Sequence, residues 1–490
     1  MKNVTKLTLL IHRYLGFALS LLFVIWFLSG FAMMYVKYPT MRYHERLQRL
    51  PAPDFSQAKL TVTQALGSAG VKDTLRSVRL GMMLDRPVYR IATTNGAHKA
   101  IFADDGTLFQ GADSALAARL AIRFTQITKI KNAGLLTEID QWMAAARSQG
   151  YGTPVYRMHM DDPAGTYVYV AAQTGEVVQM VNAKQRFLAW LGPIPHWIYP
   201  TVLLRNRPLW NDIIVWSSTI GSIMCAAGIA MGFIRYKRNR GLTFSPYKKK
   251  WFRWHHYTGF AFGLFVFTWI FSGLLSMTPW DWAPFTRLEP EESLQWTGGM
   301  FDTGKFTVPP VAVAANWGIE IKEIQLVQWN GKPFYLGYAD EHHTRMMPAD
   351  NGAGAFERFP VAPFIAKLKA MNPVVPVKEA VMLTGYDDYY YSKNHEKRLP
   401  VLRVKMASVD ERWYYIDPAT AQVVLKHQDL SRLERWLYHG LHSFDFRFLV
   451  YKRPLWDIVV LILMVGGTAV SITGLVLTWE WIIRKAAFNK

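Results

Sequence analysis

A single cysteine, Cys225, stands among 490 residues, and it lies inside an apolar run. The chain therefore offers no disulfide, no thiolate zinc site and no cysteine-ligated iron–sulfur cluster. A small buried residue is the expected role for Cys225 itself. A dinucleotide fingerprint is also missing. No G-x-G-x-x-G follows a strand pattern, and the nearest approach, NGAGAF at 351–356, lacks the third glycine and the helix after it. Oxidation of NAD(P)H by this chain alone is not expected. Acidic residues are few, 36 against 56 Lys and Arg, and none pair in the middle of an apolar run, which argues against an ion-coupled carrier.

Apolar and aromatic side chains are abundant instead: 51% hydrophobic, 14% aromatic and 19 Trp, rich for a soluble protein. Four stretches, Phe17–Val36, Ile213–Ile234, Tyr257–Pro279 and Ile458–Trp479, can each cross the roughly 30 Å hydrocarbon layer as a helix rising about 1.5 Å per residue. The first exceeds a signal-peptide core and is followed by MMYVKYP without a small-x-small cleavage site, so it reads as a retained helix. The formal net charge of +20 is concentrated beside these runs. Residues 235–253, RYKRNRGLTFSPYKKKWFR, carry eight Lys and Arg and no acid, while Lys2, Lys6, Arg13, Arg484, Lys485 and Lys490 flank the outer ends. The positive-inside rule makes that side cytoplasmic, with both termini inside and two long segments outside. Basic residues so placed face a lipid bilayer, and no soluble recognition element accompanies them, so nucleic acid is not an expected partner.

The chain matches itself. HRYLGF from His12 answers HHYTGF from His255 at an offset of 243, and the match continues through Trp26 with Trp269 and Ser29-Gly30 with Ser272-Gly273. WLGPIPH (190–196) answers WLYHGLH (436–442), and NRPLWND (206–212) answers KRPLWDI (452–458), now at 246; Gly221 and Gly228 answer Gly467 and Gly474. Two tandem copies in one orientation imply a pseudo-two-fold axis along the membrane normal. The expected fold is a membrane α-helical core of four transmembrane helices (7–36, 209–235, 254–279 and 454–481). Interfacial helical segments at 186–208 and 432–453, a basic loop at 236–253 and two external domains, 37–185 and 280–431, complete it. The external segments alternate as strands, for example PVYRIATT (87–94), TYVYVAAQTGEVVQMV (166–181) and RWYYIDPATAQVVLKH (412–427), after helical candidates such as LTVTQALGSAG (60–70). That pattern is α+β.

Four histidines fall at two equivalent places. His12 and His255 lie near the cytoplasmic ends of the first and third helices; His196 and His442 precede the second and fourth. An imidazole near lipid is costly, hence a functional candidate. A two-fold axis brings equivalent imidazoles together from opposite sides, as an iron porphyrin with two axial histidines requires. The expectation is two haem b groups, one held by His12 with His255, the other by His196 with His442; four satisfied polar residues at helix ends is the plainer alternative. His439 shares a helical face with His442, and His256 falls opposite Arg13, so neither is the chosen ligand. The recurring glycines would let a flat ring or a neighbouring helix approach. Arg186, Arg207, Arg447 and Arg453 are candidates to pair propionates or to anchor at the lipid interface. Zinc would want three or four clustered ligands; the acid-flanked His342-His343 reads as a solvated loop. Trp26 and Trp269, mid-helix and equivalent in the two copies, are candidates to lie between the two haems or to serve as packing aromatics.

These motifs, with DQW (140–142), PVYR (154–157) and QTGEVV (173–178) in the first copy and DDYYY (387–391), PVLR (400–403) and YIDPATAQVV (415–424) in the second, resemble the PepSY-associated transmembrane family of bacterial inner-membrane proteins, over essentially the whole chain. The resemblance implies PepSY-like external domains in the periplasm. It also implies a dihaem reductase of ferric iron or ferric siderophores with His12, His196, His255 and His442 as ligands, fed by quinol or a cytoplasmic reductase. Because the PepSY name also covers protease-regulating modules, a membrane-held binding module without redox chemistry is the alternative. Ala421 in place of Gly175, and DDYYY in place of DQW, imply that the two external domains differ.

Overall fold

The computed structural model describes residues 2–148, 150–238 and 245–488. Residues 239–244 of the basic loop, Arg240 included, and Lys490 lie outside the described residues. Four helices, Lys2–Met33, Arg207–Arg238, Lys250–Ser276 and Leu455–Phe488, are long and apolar enough to cross a membrane. Only 28–39% of each apolar window is buried, so most of these side chains face outward, an arrangement that lipid tolerates and water does not. The first helix packs on the second and fourth, and the third packs on the same two. The first and third thus oppose each other across a closed four-helix ring.

Small residues let that ring close. A Cβ on Gly221 would lie 3.0 Å from the Phe23 ring, and on Gly467 2.2 Å from Phe27. The glycines of the second and fourth helices therefore receive aromatic rings of the first helix, the packing use of small residues in lipid. Phe23, Trp26, Phe27, Val266, Trp269 and Met464 form the apolar centre.

The two extramembrane segments do not fold apart, as two separate domains would. They share one six-stranded antiparallel sheet, to which the first contributes Leu75–Met83, Arg86–Thr93 and His98–Phe102, and the second Glu323–Trp329, Lys332–Tyr338 and Thr344–Pro348. They join through Val78 with Leu326, Arg79 with Gln325 and Leu80 with Ile324. Under an offset of 246 this register maps onto itself, with Arg79 and Gln325 on the axis, as an isologous contact does. Each segment adds a four-stranded antiparallel sheet, Ile130–Leu136, Val155–Met160, Tyr167–Ala171 and Val177–Val181 in the first, Val377–Leu383, Val401–Met406, Trp413–Asp417 and Gln422–His427 in the second. Buried and half-buried side chains alternate over the last residues of Val155–Met160 and Val401–Met406, the mark of a strand with one core face.

The DQW and DDYYY motifs do the same work. Asp140 accepts from the Tyr169 hydroxyl at 2.8 Å, the Arg157 guanidinium at 3.2 Å and the backbone N–H of Trp142. Asp387 accepts from Tyr415 at 2.9 Å, Arg403 at 2.8 Å and the N–H of Tyr389. Each carboxylate pins a turn to its sheet. Gly175 and Ala421 also agree in backbone, both left-handed at φ 60° and 56°. Gly175 has no room for more: a Cβ there would meet Met83 Cε at 2.8 Å.

Two histidine pairs as the candidate functional site

Each interfacial segment is a broken helix. In the first, Ala183–Leu191 ends at Gly192 and a short turn, Pro193–His196, follows. In the second, Asp429–Arg435 runs into a π-helical turn, Trp436–Gly440, and then Leu441–Ser443. One continuous helix carrying both His439 and His442 is the sequence expectation; the π turn interrupts it. Two residues beyond each histidine the chain turns left-handed, at Ile198 (φ 48°) and Phe444 (φ 52°). For a β-branched residue such as Ile198 that conformation is strained, and strain of this kind persists only where surrounding contacts enforce it. The enforcing contacts include the tryptophans of the two RPLW motifs. Trp210 Nε1–H donates to the Trp197 carbonyl at 2.9 Å, and Trp456 Nε1–H to the Ser443 carbonyl at 3.1 Å, in each case the residue after the histidine.

The SG motifs hold the rings. His196 Nδ1 lies 3.2 Å from the Trp26 carbonyl and 3.2 Å from Ser29 Oγ; His442 Nδ1 lies 3.2 Å from the Trp269 carbonyl and 3.0 Å from Ser272 Oγ. A carbonyl only accepts, so Nδ1 carries the proton, and Nε2 keeps the lone pair. Gly30 and Gly273 lie beside the rings: a Cβ on either would be in ordinary van der Waals contact with its imidazole, at 3.9 Å and 3.6 Å, while on Gly30 it would also meet Met464 Cε at 2.5 Å. The two ring centres are 6.2 Å apart at an interplanar angle of 72°.

The other pair is built alike. His12 Nδ1 donates to the Met224 carbonyl at 3.1 Å. His255 Nδ1 lies 3.0 Å from Thr473 Oγ1, whose own hydrogen goes back to the Ala469 or Val470 carbonyl. Again Nε2 keeps the lone pair. The two ring centres are 6.0 Å apart at an interplanar angle of 28°. Gly228 and Gly474 lie beside them; a Cβ on Gly228 would be 2.6 Å from His12 Cε1, and on Gly474 3.4 Å from His255 Cε1. His256 faces elsewhere, toward the Gly232 carbonyl at 3.4 Å and the Tyr247 ring. His439 contacts Tyr438 and stands 4.0 Å from Asp445.

Two imidazoles ligating one ion from opposite sides place each nitrogen about 2.0 Å from it, and with half of each ring added the ring centres fall about 6 Å apart. Both pairs have that spacing. Donation of Nδ1–H to a backbone carbonyl or hydroxyl is the usual outer contact of a ligating histidine. Among the described residues, no group of three or more His, Cys, Asp and Glu gathers as a metal site, and His342 and His343 belong to a turn capped by Asp340.

A cavity of about 740 Å³ adjoins His196 and His442, a size suited to a large planar ligand. Trp26, Trp197, Trp269, Trp456 and Met464 give it apolar walls, and Trp269 Nε1 is buried there without an acceptor among the described residues. Lys37, Lys393, Asn394 and Arg453 also line it. Of the four arginines singled out in the sequence, only Arg453 does. Arg186 instead bonds the Gly165 carbonyl at 2.8 Å and covers the Tyr167 ring, and Arg207 and Arg447 are exposed. Lys37 and Lys393 were not legible as site residues, because Lys393 comes from a loop with no periodicity or motif. Its ammonium lies 2.6 Å from the buried Asp445, whose carboxyl is pushed up by burial against the pull of Lys393. The tryptophans Trp26 and Trp269 are not midway between the pairs: their carbonyls hold His196 and His442. Counting from His12 to Trp26 along one helix, the pairs are separated by about 21 Å.

Bundle, extramembrane sheets and histidine-bearing turns together define a membrane protein with PepSY-associated architecture. Residues 9–480 match the family described as PepSY-associated TM region, and the chain belongs to that family. A search of curated proteins finds no match.

Proposed function

We propose that each histidine pair ligates the iron of a b-type haem, and that the protein passes electrons across the bacterial inner membrane to reduce ferric iron, free or held by a siderophore, in the periplasm. The observation that carries this reading is the spacing of 6.0 and 6.2 Å between rings whose Nε2 lone pairs are left unused by the Nδ1 contacts. Haem at these sites supplies one-electron chemistry. The chain supplies the rest. Ser29, Ser272, Thr473 and three backbone carbonyls fix the tautomers and orient the rings. Apolar walls exclude water, and Lys37, Lys393 and Arg453, each already beside an acid, line the same cavity as further N–H donors to carboxylates. Ferric ion is bound by hard oxygen chelators far better than ferrous ion is, so adding one electron favours release.

On this reading the chain is a tandem duplication with both termini cytoplasmic and the shared sheet in the periplasm. The donor is quinol or a cytoplasmic reductase. The test is haem content and the dithionite-reduced minus oxidised spectrum of purified protein: two b-type haems per chain are expected. A haem-free preparation from haem-replete cells would overturn the proposal in favour of a membrane-held binding module.

A further inference from the structure

The shared sheet carries a pairing that strand chemistry disfavours. Arg79 and Arg90 stand directly opposite each other, where like charges repel; 246 residues on, the opposed pair is Gln325 and Leu336. Arg79 is answered by Glu176 at 2.8 Å and Glu323 at 3.3 Å, and Arg46 by the same two acids at 3.0 and 2.6 Å. Arg90 is left over. It is 7% exposed, gives one N–H to the Met82 carbonyl at 3.0 Å, forms no ion pair among the described residues, and buries its Nε without an acceptor among them. Burial, with Arg79 and Arg46 adding to it, holds its pKa below the ordinary guanidinium value against the pull of Glu176 and Glu323. A guanidinium does not shed its proton in a protein. The two acids are already ion-paired with Arg46 and Arg79, so three guanidiniums facing two carboxylates leave one positive charge in excess.

A cavity of about 250 Å³ opens beside it, lined by Arg42, Arg46, Arg76, Arg79, Arg90 and His98, with Glu176 as the one acid among its lining residues. Thr174 lines the same cavity, 2% exposed, and its Oγ1 is likewise without a partner among the described residues. The volume falls just under that of drug-sized sites. Two unmatched buried groups, one cationic and one a hydroxyl, thus border a small cationic chamber. We infer that this cavity binds a small oxyanion, a carboxylate or a phosphate, with Arg90 and Thr174 as its buried contacts. A guanidinium can grip either planar carboxylate or tetrahedral phosphate through two N–H groups, and the threonine hydroxyl adds a third donor.

The site stands apart from the histidine pairs, so its test is separate. The full-length protein is titrated calorimetrically with citrate and with inorganic phosphate, in turn, at fixed ionic strength in chloride. Saturable binding of one equivalent of either supports the inference, and the preferred anion identifies the chemistry. Arg90→Gln should weaken binding about tenfold or more, the loss of a charge-assisted contact, and Thr174→Val should weaken it less, both without altering the absorption spectrum of the histidine sites. No saturable binding of either anion to the wild type overturns the inference, as does wild-type affinity in both variants. Should Arg90→Gln not fold, Thr174→Val and the wild-type titrations decide it.

Discussion

Around His196 and His442, positions separated by 243 or 246 residues make the same contacts; where the two extramembrane segments join, the charged residues do not. Ser29 and Ser272 hold one histidine each, Gly30 and Gly273 lie beside one each, and Trp210 and Trp456 tie down the residue after each. At the shared sheet and the turn ion-paired to it, by contrast, Arg79, Arg90, Glu176 and Glu323 correspond to Gln325, Leu336, Gln422 and Ser77. On the proposed reading, paired imidazoles facing one ion need symmetry, since both rings must meet it at equal distance. The joined sheet has no such need, and there the two segments differ in charge while keeping their turns and strands.

The sharpest break in the symmetric half is His442→Ala, which should lower haem content from two per chain to one, measured by pyridine haemochrome assay, whereas His439→Ala should lower it not at all. On the asymmetric side, Glu323→Gln removes the acid that Arg46 and Arg79 share with a side-chain exposure of 1%. Destabilisation of about 3–5 kcal/mol is expected, as for breaking a buried pair, read by denaturant unfolding of the extramembrane region. Alanine at the corresponding Ser77 should cost far less. Acid tests the same cluster. Burial would raise the carboxyl pKa values, but Arg79 and Arg46 override it and hold both Glu176 and Glu323 below the ordinary 4.5. Their contribution is therefore complete above that pH and lost as pH falls below it; thermal midpoints between pH 6 and 3 should drop more steeply in the wild type than in Glu323→Gln.

Smaller effects separate the two members of a pair. Gly228→Ala crowds His12 at 2.6 Å and Gly474→Ala meets His255 at 3.4 Å. The first should cost about 1–3 kcal/mol and perturb the spectrum of that site, the second markedly less. Ser29→Ala and Ser272→Ala each remove one contact to a histidine, worth about 1 kcal/mol, and equal shifts of the His196–His442 site's reduction midpoint in redox titrations would extend the symmetry to energetics. Unequal shifts would confine it to geometry.

Much of this was legible in the chain itself. The four apolar runs give helices because lipid leaves the backbone no partner but itself, and the pairing of His12 with His255 and His196 with His442 followed from register. The helical candidate at 60–70 folds as Val62–Ser68, and the structure shows that it begins on a capping box between Thr61 and Gln64. The roles of Ser29, Ser272 and Thr473 were hidden, because a hydroxyl in a membrane helix ordinarily bonds its own preceding turn, as these three also do.

Local pattern and self-similarity thus determined which segments enter the membrane, which strands form and which histidines correspond. Only tertiary structure decided that the two extramembrane segments share one sheet, that Lys37 and Lys393 reach the histidine cavity, and that Arg90 is buried without an ion pair among the described residues. Periodicity reports the face a residue presents within its own element; what lies against that face comes from elements tens to hundreds of residues away, and no local rule carries that distance.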